Sequence, residues 1–273
     1  MIRKTVTGLL GLFWAAAASA DWEVNMPVGV TELSAETYSL HMMAFWVCTV
    51  IGIVVFGVMI ISLIKHRKAA GAVPAKFSHS TLAEVIWTII PVLILLFMAV
   101  PAAETMIKLE DSRKPDLTVV VTGYQWKWHY RYQDQDVEFY SSLARPSLEA
   151  RTKDAGIDPF TVDNYLLDVD RPLVVPVGAK VRILLTSNDV LHAWWVPDLA
   201  IKKDAIPGMV NETWFRAATP GTYRGQCAEL CGKDHGYMPV VVEVVEEAAF
   251  NEWVASNGGT TDVTLASNQS GLE

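Results

Sequence analysis

Two long runs without a charged side chain limit what this chain can fold into. Residues 42–64 and 85–103 contain no Asp, Glu, Lys or Arg, and each is long enough to cross a bilayer as a helix. In hydrocarbon the backbone must satisfy its own N–H and C=O groups, so the expectation is a hairpin of two helices, about 42–64 and 85–107. Lys65, Arg67, Lys68 and Lys76 lie between them, with no acid until Glu84. By the positive-inside rule this loop is cytoplasmic and both termini face outward. The first 20 residues agree, with Arg3 and Lys4, an apolar core over 9–14 and a small-residue end at Ala18, Ser19 and Ala20. They read as a signal peptide, which starts the mature chain at Asp21 outside the cytoplasm and leaves 21–109 as the N-terminal segment and membrane hairpin. Pro91 is expected to kink the second helix. Glu84, by position alone, is an interfacial acid at the cytoplasmic end of that helix.

Beyond about Leu109 the pattern changes to short β-branched runs at 117–122, 173–177, 181–186 and 240–245, separated by turn residues. Such spacing predicts an all-β Greek-key sandwich or barrel over 110–255. Tyr124, Trp126, Trp128 and Tyr130 alternate with polar residues, so one strand through them would put four aromatics on one face, ordinarily a core face. Residues 141–163 are polar and charged and read as a surface excursion. Residues 256–273 read as a flexible tail, without the Cys-x-x-Cys-His that attaches a c-type haem. Cys48 reads as a packing residue within its apolar run, and His41, His79 and His129 read as structural.

The chemistry is concentrated in residues 225–238. Cys227, Cys231, His235 and Met238 fall within this one loop, and His192 lies upstream. Thiolate, thioether and imidazole donors select copper or zinc over oxygen-loving cations. A single blue-copper ion needs one thiolate, two imidazoles and a weak thioether, so the second thiolate is a surplus that suggests two metals. Two coppers could share both sulfurs as bridges. A disulfide between Cys227 and Cys231 and a closed Cys2His2 zinc site compete with this reading. Neither uses Met238.

The segments Val190-Leu-His-Ala-Trp, Lys203-Asp-Ala-Ile-Pro-Gly, Gly225-Gln-Cys-Ala-Glu-Leu-Cys-Gly and His235-Gly-Tyr-Met-Pro resemble subunit II of haem-copper cytochrome c oxidases. The likeness runs from the first membrane span to about Val254. It implies a cupredoxin fold and a dinuclear copper centre, CuA, held by His192, Cys227, Cys231, His235 and Met238 with the backbone carbonyl of Glu229. The Glu229 side chain would face a magnesium or manganese ion shared with the catalytic subunit. Trp126 matches the tryptophan that takes the electron from cytochrome c. Glu84, in Glu84-Val-Ile-Trp-Thr, matches a glutamate at the mouth of a proton pathway. Asp204 matches an aspartate in the water network at the subunit interface. Lys127, Arg131 and Met209 depart from the residues common in relatives.

The implied role is electron acceptance from cytochrome c and transfer to haem in catalytic subunit I, with subunit III alongside, in a bacterial inner membrane. Oxygen reduction to water coupled to proton pumping then occurs in the partner. A formal charge of −8 argues against nucleic acid, whose phosphates need a basic surface, and suits a basic protein. Asp134, Asp136, Glu138 and Asp189 are the candidate docking acids. Two rivals are a quinol oxidase subunit II, which lacks the copper ligands present here, and a membrane-anchored copper chaperone, whose cysteine pair belongs at a helix start in a βαβ pattern.

Overall fold

The computed structural model describes residues 25–73, 76 and 78–260. The expected signal peptide and residues 261–273 of the expected tail lie outside that range. Helix α1 spans Glu32–Lys65 and α2 spans Thr81–Leu109, so both extend beyond the expected limits. An uncharged run marks the part of a helix suited to hydrocarbon, whereas caps mark where the helix ends. Thr31 supplies the start of α1: its Oγ1 accepts from Ser34 N–H at 2.9 Å while Ser34 Oγ accepts from Thr31 N–H at 2.9 Å, a reciprocal box that satisfies two orphan donors. Pro91 and Pro101 both lie inside α2, which continues through them. Both helices are long and apolar enough to cross a membrane, and neither apolar stretch is buried within this chain. Cys48 is exposed on α1 within this chain.

Among the described residues, ten strands form two five-stranded sheets, in the order β3-β2-β1-β5-β8 and β4-β10-β9-β6-β7. The first is built from β1 (Leu117–Tyr124), β2 (Lys127–Tyr132), β3 (Val137–Ser141), β5 (Val181–Ser187) and β8 (Asn211–Phe215). The second contains β4 (Leu173–Pro176), β6 (His192–Val196), β7 (Ile201–Ala205), β9 (Gly221–Cys227) and β10 (Pro239–Val245). Two pairings are parallel, β1 with β5 and β4 with β10, and the others are antiparallel. Strand β5 alternates buried and half-buried along its whole length, the period-two signature of a sheet with one face on a core. Two phenols join the sheets across that core. Tyr132 Oη donates to Val174 O at 2.6 Å and accepts from Val174 N–H at 3.0 Å, and Tyr130 Oη accepts from Trp194 Nε1–H at 3.3 Å.

The single strand expected through 124–130 does not form. The chain turns between β1 and β2 at Gln125 and Trp126, so Trp128 and Tyr130 enter the core with Tyr132, while Tyr124 sits edge-on to Tyr140. Trp126 is thereby released from the stripe. Helix α3 (Arg145–Ala150) lies within the excursion, and α4 (Glu247–Ser256) closes the sandwich, with Phe250 and Val254 buried.

Candidate metal centre

The loop between β9 and β10 carries most of the predicted ligands, and each is fixed by its neighbours. Cys227 ends β9, where its N–H donates to Met238 O at 3.0 Å, tying the two ends of the loop together. His235 opens a short 3-10 turn whose entrance is closed by His235 N–H donating to Gly232 O at 3.2 Å. His192 starts β6, which pairs with β9 through Trp194 and Cys227. A ligand from the upstream strand therefore meets the loop because two adjacent strands carry them at the same end of the sheet.

Cys227 Sγ lies 3.8 Å from Cys231 Sγ, 3.9 Å from His192 Nδ1 and 3.3 Å from the Glu229 carbonyl. Cys231 Sγ lies 3.5 Å from His235 Nδ1. Each sulfur thus has one imidazole nitrogen beside it. Among the described residues, His192, Cys227 and Cys231 present ligand atoms that all lie within 4.8 Å of one another. With metal–thiolate bonds of about 2.3 Å, sulfurs at this separation can both reach the same ion. The cysteines are free, and their spacing is well beyond a disulfide bond of about 2.05 Å. Met238 is 1% exposed and His192 is fully buried. The donor set and its spacing fit copper.

The electrostatics match two thiols sharing one enclosure. Burial raises the Cys227 pKa, but the hydrogen bond with His192 and those with the Ala193 and Glu229 backbone outweigh it, bringing the group down to about 7. Burial and the neighbouring Cys227 charge push Cys231 up to about 12. One proton leaves the pair readily and the second is held, so ion uptake must displace it. Burial lowers His192, yet its contacts with Cys227 and Asp189 prevail and leave its pKa raised.

Several residues that sequence reasoning left out build the surroundings. Gln125 Nε2–H donates to Cys231 O at 2.8 Å, beside Trp126 Nε1–H donating to the same carbonyl at 3.2 Å. The predicted electron-accepting indole is therefore hydrogen-bonded to the backbone of a ligand cysteine. Gly123 leaves room for the His192 ring, since a Cβ there would fall 2.7 Å from His192 Cδ2. Gln125 carried no signal in one sequence beyond its adjacency to Trp126.

The four proposed docking acids separate. Asp189 Oδ1 pairs with His192 Nε2 at 2.9 Å, and its Oδ2 accepts from Gln125 N–H at 2.7 Å. Burial pushes its carboxyl up, but the hydrogen bonds from His192, Val190 and Gln125 prevail and hold it below the usual range. Asp134, Asp136 and Glu138 instead line one surface hollow with Arg131 at the β2–β3 turn. Strand β2 runs roughly 17 Å between Trp126 and the turn that carries Asp134 and Asp136, whereas Glu138 faces Arg131 in register and its Oε2 lies 3.8 Å from His129 Nε2, part-way back along the strand. Asp204 is exposed in β7 and faces Ala193 in register, one position from His192. Glu229 is exposed with its carbonyl at the Cys227 thiol. Glu84 is exposed in the first turn of α2, at the opposite end of that helix from the β-domain.

Comparison with known proteins assigns the chain. The family described as cytochrome c oxidase subunit II, periplasmic domain, matches residues 117–245, and the corresponding transmembrane domain matches 19–104. A probable cytochrome c oxidase subunit 2 of Rickettsia bellii is 41% identical over 259 residues, 93% of each chain. The cytochrome c oxidase subunit 2 of Cereibacter sphaeroides is 32% identical over 282 residues, covering 94% of this chain and 92% of its own. The crystallised periplasmic domain of subunit II of cytochrome oxidase from Bradyrhizobium japonicum is 42% identical, with 54% of this chain and 96% of that one covered and a TM-score of 0.47. With both domains matched and relatives aligned almost end to end, the chain belongs to the cytochrome c oxidase subunit II family.

Proposed function

We propose that this chain is the electron-accepting subunit of a proton-pumping oxidase, taking electrons from cytochrome c at a dinuclear copper centre and passing them to haem in the catalytic subunit. The observation that carries the reading is the pairing of two free, buried thiols 3.8 Å apart with an imidazole nitrogen beside each. His192, Cys227, Cys231, His235 and Met238 hold the copper, with the Glu229 carbonyl as a further weak donor. When bound, the copper pair supplies a one-electron site whose charge is shared over both nuclei. Rigid strands keep the ligands in one arrangement, which lowers the reorganisation that each electron transfer demands. Asp189 holds the His192 ring so that Nδ1 faces Cys227, and buried Trp194 and Trp128 exclude water behind the site. Trp126 is the electron-accepting residue, joined to the centre through its hydrogen bond to Cys231 O.

The finer roles follow the same reading. The Glu229 carboxylate faces a magnesium or manganese ion shared with the catalytic subunit, and Asp204 belongs to the interface water network. Glu84 serves proton uptake at the opposite membrane face, while the β-domain and both termini lie on the periplasmic side of a bacterial inner membrane. Subunit III completes the core assembly.

Copper analysis and electron paramagnetic resonance of the full chain test the central claim. We expect two coppers per chain, a purple colour and one unpaired electron delocalised over both nuclei. Cys227→Ser and Cys231→Ser should each abolish that signal. A single copper with a localised signal, or one passed readily to an acceptor protein, would replace the oxidase reading with a simple copper carrier or chaperone.

A further inference from the structure

The excursion over 141–163, which has no role in the centre as described, sends one side chain back to the metal-binding loop. Helix α3 is anchored by burial of Ser147 and Ala150, and Leu166 N–H donates to Ser147 Oγ at 3.1 Å. Arg151 follows that helix directly, with its N–H donating to Ser147 O at 3.1 Å. Its guanidinium therefore starts from a fixed backbone. Arg151 Nη1 lies 3.7 Å from Asp234 Oδ1, and its Cζ sits 4.7 Å from the centre of the Tyr237 ring.

Those two contacts fall on either side of His235. Tyr237 N–H donates to Asp234 O at 2.9 Å, so residues 234–237 form one closed turn, and Arg151 grips it at both ends. The side chains of Arg151 and Asp234 are 30% and 22% exposed, which leaves the pair less screened than a fully solvated one. A planar guanidinium can face a carboxylate and lie over an aromatic ring at once, which an ammonium cannot do as well. Between these two contacted residues lies His235, whose Nδ1 is 3.5 Å from Cys231 Sγ.

We propose that Arg151 is a positioning residue for His235: the excursion braces the ligand-bearing turn from outside and fixes the imidazole against the Cys231 side of the centre. The inference rests on the dinuclear copper reading. It gives the excursion a task, namely support of the more exposed of the two histidine ligands. His192 is fully buried and held by Asp189; His235 is only half-buried and has this brace instead.

The test compares the copper-loaded full chain with Arg151→Ala and Arg151→Lys. The readouts are copper release to the chelator bathocuproine disulfonate after reduction and the hyperfine pattern of the oxidised centre. Removal of a residue that supports a metal ligand commonly costs tenfold or more in affinity, so Arg151→Ala should release copper about tenfold faster. Its imidazole hyperfine coupling should change, and Arg151→Lys should recover part of both effects. Release and spectrum equal to wild type in Arg151→Ala overturn the proposal. If Arg151→Ala fails to fold, Tyr237→Leu removes the stacking surface with Arg151 retained, and wild-type release from that variant overturns it equally. Two coppers in the wild type with no effect of either substitution sink the Arg151 assignment alone. Fewer than two coppers in the wild type remove the dinuclear reading, and the proposal falls with it.

Discussion

Asp189 shows what residue-level chemistry adds to a charge pattern. In the sequence it is one acid among several, three positions before a ligand histidine, and grouping it with Asp134, Asp136 and Glu138 as a docking charge is the natural reading. Its carboxylate is instead shared between His192 Nε2 and the Gln125 amide, so it fixes the orientation of an imidazole and the turn that carries Trp126. The two roles predict different failures. A docking acid changes the salt dependence of the reaction with cytochrome c and leaves the copper spectrum alone. A ligand-orienting acid changes the spectrum, and Asp189→Ala should weaken copper binding about 10–100-fold. Asp189→Asn, which retains an acceptor oxygen for the ring, should lose much less. An unaltered spectrum and copper affinity in Asp189→Ala would return the residue to the docking set. The clustering of His192, Cys227 and Cys231 was legible because the chemistry of candidate metal donors is stated by residue type and spacing. Gln125 and Arg151 were not, because each reaches the loop from a remote part of the chain and nothing in one sequence pairs them.

At the scale of elements, the membrane hairpin is tied to the β-domain at both of its outer ends. Val30 N–H donates to Asp198 O, Ala218 N–H donates to Val30 O, and Thr31 bridges to Ala217. On the other side Trp214 Nε1–H donates to Lys108 O at 3.0 Å, Lys180 Nζ donates to Asp111 O and Arg113 O, and Lys203 pairs with Glu110 at 3.0 Å. These ties seat the β-domain, and with it the candidate metal centre, on the outer ends of the helices. They were invisible in the sequence, where the apolar runs reveal the spans but not how the domain is seated. The same runs understated the helices, because the cap that starts α1, Thr31 with Ser34, lies outside the uncharged run. Helix α2 carries Glu84 in its first turn and ends at Leu109, so about 1.5 Å per residue puts roughly 43 Å between its ends. Over that distance a substitution at Glu84 has no route to the copper ligands through direct contact. Glu84→Ala should therefore slow turnover of the assembled oxidase and leave the copper spectrum and copper content unchanged. Unchanged turnover would dismiss the proton-uptake role, whatever the spectrum does.

For the whole molecule, the all-β class was legible in the short β-branched runs, but the sheet order was not. The parallel pairings of β1 with β5 and β4 with β10 join segments distant in sequence, and no local pattern encodes which strands meet. That topology decides where charge lies relative to the centre. Asp134, Asp136 and Glu138 converge in one hollow at the β2–β3 turn, while Trp126 sits at the opposite end of β2. With roughly 17 Å of strand between the turn and the indole, Asp134 and Asp136 should act on an approaching basic protein through the long-range field more than through contact at the indole, and Glu138, 3.8 Å from His129 Nε2, lies nearer. The Debye length is about 30 Å at 0.01 M salt and about 8 Å at 0.15 M, so their influence should be present at the first and largely gone at the second. Replacing the three with Asn, Asn and Gln should lower the second-order rate with cytochrome c at low salt and flatten its ionic-strength dependence. Rates near 0.15 M should converge on wild type. Trp126→Phe, which removes the indole donor to Cys231 O, should depress the rate at every salt concentration. If the triple variant is slowed equally at both ionic strengths, the hollow is part of the contact surface itself, and the donor protein docks across the β2–β3 turn rather than over Trp126.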